Sequence, residues 1–128
     1  MSRRKVSEAG EEPWDIRERA FELAVRVVRL CEVLDGEPGV SRTLAGQLLR
    51  SGTSVGANIE EAKAGQSKAD FVAKMSIASK EARETHYWLR LLKAGGLIES
   101  GKLESLLAEK DEVVAVLTAI VKKARERE

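Results

Sequence analysis

Residues 71–92 carry Phe71, Met75, Ala78, Ala82, Thr85, Leu89 and Leu92 at alternating steps of four and three. Side chains so spaced share one face of an α-helix, whereas a strand sends alternate side chains to opposite faces and cannot gather them. The pattern holds over three heptads, so this run needs neighbours on which to bury an apolar seam. Three other runs behave alike. Ile16, Ala20, Leu23, Val27, Leu30 and Leu34 form one stripe, widened by Phe21, Ala24, Val28 and Cys31. Leu44, Leu48, Ser51, Val55, Ile59 and Ala62 form another. Leu103, Leu106, Val113, Leu117, Ile120 and Ala124 form the last, with a second line of Leu107, Val114 and Val121 beside it.

The residues between these runs are stop and start signals. Asp15 is an N-cap candidate, with Glu18 three residues on in a capping-box arrangement. The turn "DGEPG" ends the first helix, because glycine terminates and the residue before Pro38 is biased away from helical geometry. Ser41 is the next cap candidate, Gly65 the next stop, Ser67 the cap of the third helix with Asp70 behind it, and "AGG" at Ala94 to Gly96 its end. The spacing predicts helices at about 15–35, 41–65, 68–94 and 101–125. Short connections between long helices make neighbours antiparallel. The expected fold is therefore all-α, an antiparallel up-down-up-down four-helix bundle over residues 14–128, preceded by a flexible N-terminal tail, 1–13. The 128 residues suit one core.

Charge excludes some partners and leaves others open. Net charge is +1, from 22 basic and 21 acidic residues, so no segment is an evident polyanion-binding arm. Aromatics are 4%, thin for a base-stacking surface. The one cysteine, Cys31, lies in an apolar stripe and reads as a buried small hydrophobe in a reducing compartment. "MSRRKVSEAGEEP" leads into charge and not into an apolar h-region, and no apolar run has the length of a membrane span. The expectation is a cytoplasmic chain without a membrane partner.

"SGTSVGANIEEA", Ser51 to Ala62, is the segment open to two readings. As a phosphate loop it would follow a strand, and in its Walker form it would end in Gly-Lys-Ser/Thr; it has neither. As a helix, it places Gly52 and Gly56 on one side, where missing side chains let a partner helix approach closely. Ser54, Asn58 and Glu61 then form a polar line beside Val55, Ile59 and Ala62. Glu81 and Glu84 make a similar line on the third helix, near Lys74 and Trp88. Such lines either satisfy each other across helices and hold neighbours in register, or are solvated helix faces.

Chemistry is sparse. A di-iron bundle site needs Glu-x-x-His twice, but the chain has the single His86, and Arg83 stands three residues before it. His86 has no nucleophile and orienting acid at recognisable spacing. No enzyme activity and no cofactor or metal are expected. Nucleic-acid contact, if any, would fall to Arg3, Arg4 and Lys5 in the tail, Arg19, Arg26 and Arg29 on the first helix, and Lys122, Lys123, Arg125 and Arg127 at the C-terminus. For the last group, pairing of cations with the helix dipole is the alternative. The double apolar lines on helices one and four exceed what a lone bundle needs, which points to self-association.

The segments "SGTSVGANIEEAKAGQSKADF" and "IASKEARETHYWLRLL" resemble the bacterial large-subunit rRNA intervening-sequence family, also labelled S23 ribosomal proteins. The resemblance rests on Ser54, Val55, Asn58, Ile59, Glu61, Ala62, Ser67, Asp70, Phe71, Glu81, Glu84, Thr85, Tyr87, Trp88 and Leu89, and spans Trp14 to about Lys123. It implies a four-helix bundle assembling as a ring-like homopentamer with no established enzymatic activity. The fold is also similar to the accessory subunit of diversity-generating retroelements, a basic pentamer that binds nucleic acid and a reverse transcriptase. The near-neutral charge here departs from those relatives. Two readings follow. One is a homo-oligomeric scaffold with Ser54, Asn58, Glu61, Glu81 and Glu84 setting register. The other is an RNA- or DNA-binding accessory factor.

Overall fold

A computed structural model describes residues 13–126. The chain forms α1 (Pro13–Asp35), α2 (Val40–Lys63), α3 (Lys68–Ala94) and α4 (Ser100–Glu126), with no strand among the described residues. Each helix packs on its sequence neighbours and α1 also meets α4, while the backbones of the diagonal pairs stay more than 8 Å apart at Cα. This is the expected up-down-up-down bundle. Apart from Pro13, the expected flexible tail lies outside the described residues.

The apolar stripes converge on one core. Ile16, Leu23, Val27, Leu48, Val55, Ile59, Met75, Leu89, Leu92, Leu103, Val113 and Leu117 are its largest fully buried side chains. Burying each is worth about 1.5–3 kcal/mol, which makes this seam the dominant stabilising term.

The helix ends differ in detail from the sequence expectation. α1 starts at Pro13, two residues ahead of Asp15. Proline has its φ already helical and no N–H to leave unsatisfied, so it suits the first helical position. Ser41 does not cap α2; it lies inside the helix and is buried, and Gly39 takes the cap position at φ 96 with no side-chain bond. α2 stops at Lys63 and not at Gly65. Ala64 donates back to the Glu60 carbonyl and Gly65 to the Ala62 carbonyl, which leaves Gly65 in the loop against the Asp70 carboxylate. Ser67 caps α3 as expected, accepting from the Asp70 N–H at 3.0 Å.

The end of α3 is a Schellman motif. Gly96 donates to the Lys93 carbonyl (3.1 Å) and Leu97 to the Leu92 carbonyl (3.0 Å). Gly96 sits at φ 71, where a β-carbon would be strained.

Candidate functional site

The segment 51–62 is helical throughout and faces two neighbours. On its α1 side, Gly52 lies so near Val27 that an added β-carbon would come within 2.8 Å of Val27 Cγ1. Gly56 is looser: a β-carbon there would meet Ala20 Cβ at 3.7 Å, an ordinary contact. On its α3 side the core holds one polar contact. Thr85 Oγ1 lies 2.9 Å from Ser51 Oγ, whose own carbonyl partner is Leu48 at 3.3 Å. Both side chains are fully buried, so these bonds satisfy groups that water cannot reach.

The polar residues singled out in the sequence flank this seam. Glu61 accepts from Lys74 at 2.8 Å. Arg50 spans Glu81, at 3.3 Å, and Glu84, and the Trp88 indole donates to Glu84 at 3.0 Å. Glu61, Glu81 and Glu84 are thus held across α2 and α3. Arg50, which the sequence reading missed, holds two of them. Ser54 and Asn58 donate to their own helix, to the carbonyls of Arg50 (2.7 Å) and Ser54 (2.9 Å).

The basic residues separate into three groups. Arg19 pairs with Glu112, and Arg26 with Glu109 and Ser105, so both knit α1 to α4. Arg29 and Lys123 are exposed. Lys122 and Arg125 instead line a groove of about 500 Å³ between α3 and α4, opposite Lys80 and Arg83. Lys80 and Arg83 were not among the residues selected from sequence. The signal was there in the helical spacing of Ser76, Ser79, Lys80 and Arg83.

The two wide apolar stripes also part ways. On α4, Leu107 and Val114 pack against the core and Val121 is buried in it, so the second line is absorbed. On α1, Phe21 stays 66% exposed, with Val28 also in water and Leu49 exposed on α2. The α3 surface carries exposed Ile77, Tyr87 and Leu91.

Neither titratable candidate is arranged for catalysis. Burial, aided by the Asp35 carboxylate, pushes the Cys31 thiol up to about 11, which keeps it protonated and unreactive. His86 sits at the α3–α4 seam with Nδ1 buried and unpartnered. Its pKa is lowered first by burial and then by the Lys110 ammonium, with Arg90 adding and Asp111 opposing. Lys110 occupies a core position of α4 between Leu106 and Val113 and carries its ammonium out to Asp111. Among the described residues no group of three His, Cys, Asp or Glu could hold a metal ion, and no helix is long and apolar enough to cross a membrane.

A family described as "23S rRNA-intervening sequence protein" matches residues 12–119. A solved structure is similar over most of its length: a protein with unknown function from the S23 ribosomal protein family of Bacteroides thetaiotaomicron. It is 42% identical, with a TM-score of 0.80, and the match covers 86% of this chain and 97% of that one. No curated protein matches the chain.

Proposed function

The chain belongs to the 23S rRNA-intervening sequence protein family, and from that premise we propose that it is a non-enzymatic scaffold built by self-association into a closed ring, with five copies the expected number. The observation that carries this reading is Phe21. A phenylalanine two-thirds exposed on a bundle whose core is already closed leaves a large apolar surface in water.

Val28 and Leu49 extend that surface along the α1–α2 shoulder, and Ile77, Tyr87 and Leu91 provide apolar area on α3. α1 and α3 are diagonal in the bundle. Two different patches on opposite corners favour head-to-tail contact, and head-to-tail contact gives a ring when the rotation closes. A net charge of +1 puts little repulsion between copies. In such an assembly Glu61, Glu81 and Glu84 serve to keep α2 and α3 in register, while Ser54 and Asn58 bond within α2.

The test is light scattering on the full chain at micromolar concentration, beside Phe21→Asp. The wild type is expected as an oligomer and the variant as a folded monomer. A monomeric wild type ends the proposal.

A further inference from the structure

We infer that the groove between α3 and α4 is a binding site for a chain of phosphate groups. Lys80 and Arg83 line it from α3, and Lys122 and Arg125 from α4. Away from the groove, the cations along the helix seams, including Lys93 with Glu104 farther along the α3–α4 seam, are neutralised. Arg17, Arg19, Arg26, Arg50, Lys74 and Lys93 each face a carboxylate on an adjacent helix. In the groove the pattern reverses. Among the described residues Lys80, Arg83 and Lys122 have no ion-pair partner, and Arg125 has only the Ser76 hydroxyl at 3.3 Å.

Concentrating like charge costs free energy unless an anion offsets it. The dipole of α4 accounts for cations in its last turn, but not for Lys80 and Arg83 in the middle of α3.

The shape selects the kind of anion. Ser76 to Arg83 and Thr118 to Arg125 are matching eight-residue runs, each roughly 10 Å long at helical rise, so the groove meets a row of phosphates and not one. Ser79 and Thr118 add hydroxyl donors between the cations, a mixture suited to groups with several acceptor oxygens. Val121 closes the floor. No aromatic ring lines the groove, so nothing stacks on a base and recognition stops at phosphate. Glu126, the one carboxylate of the lining, repels the chain at that end. The groove shares no residue with either apolar patch invoked for self-association, Phe21, Val28 and Leu49 or Ile77, Tyr87 and Leu91.

The phosphates are those of a nucleic-acid backbone or of a free oligophosphate, and two probes distinguish them. The full chain is titrated at low salt with tripolyphosphate by calorimetry and with a labelled single-stranded RNA by fluorescence anisotropy. The groove variant is Lys80→Ala with Lys122→Ala; the control is Lys63→Ala with Arg90→Ala, two exposed cations outside the groove. The groove variant is expected to bind about tenfold more weakly or worse, with the salt slope for RNA reduced by about 1–2, while the control stays within about twofold. RNA binding that tripolyphosphate displaces assigns the groove to a backbone; tripolyphosphate binding without RNA binding assigns it to a free oligophosphate. Absence of binding by both probes overturns the inference, and so does binding that survives the groove substitutions or falls equally in the control.

Discussion

Gly52 and Gly56 look equivalent in sequence and differ in the fold. At Gly52 a β-carbon meets all three branch atoms of Val27 at 2.8–3.2 Å, and a β-branched side chain in a helix has no other rotamer to retreat to. Gly52→Ala is therefore expected to lose about 1–2 kcal/mol, because overpacking outweighs the gain in helix propensity. Gly56→Ala keeps the gain without the clash and should be neutral or stabilising by up to about 1 kcal/mol. Urea denaturation of the two variants checks the pair, and equal effects would remove Val27 as the cause. His86 gives a pH dependence. Its folded pKa lies below its ordinary 6.5, so the fold favours the neutral ring and the unfolded chain takes the proton first. Stability is then intact above about 6.5 and falls as pH drops through and below it. The melting temperature should fall between pH 7.5 and 5.5 in the wild type and less in His86→Asn; parallel curves would exonerate His86.

At the scale of the element, α2 and α3 are locked by the buried Ser51–Thr85 contact and, outside it, by Arg50 and Lys74 gripping the three glutamates. The outer pairs are exposed, each worth about 0–1 kcal/mol and screened by salt. The buried hydroxyls add to register, because sliding one helix past the other by a turn would separate them and leave each only the carbonyl of its own helix, Leu48 for Ser51 and Glu81 for Thr85. In a cycle of Ser51→Ala, Thr85→Val and the double variant, we expect each single change to cost about 1 kcal/mol and the double less than their sum. Strict additivity would mean that the two hydroxyls act alone. Ser51 and Thr85 were both read as members of apolar stripes, and their pairing was not legible. Arg50 was missed for the same reason, since nothing near it in the chain names a partner on α3.

At the scale of the whole molecule, self-association should make the melting temperature rise with protein concentration, since anything that binds the folded state stabilises it. Phe21→Asp should abolish that dependence while leaving the monomer folded, because Phe21 gains little from burial within one chain. Calorimetry over a range of concentrations would show it, and a flat wild-type series would contradict the assembly. The four helices, their order and nearly every core residue were legible because helical periodicity is local: 3.6 residues per turn puts Ile16, Leu23 and Val27 on one face whatever else the chain does. Lys110 escaped because a charged residue interrupts an apolar pattern, although its stem is buried as readily as leucine. Surplus apolarity on α1 and α4 looked the same in sequence, yet the bundle absorbs one and leaves Phe21 of the other in water. Periodicity along the chain determined the helices and the face each one buries. Only the tertiary structure decided which cations meet carboxylates and which are left to converge on a groove, because a charge finds its partner across a helix seam, at a register that no single helix contains.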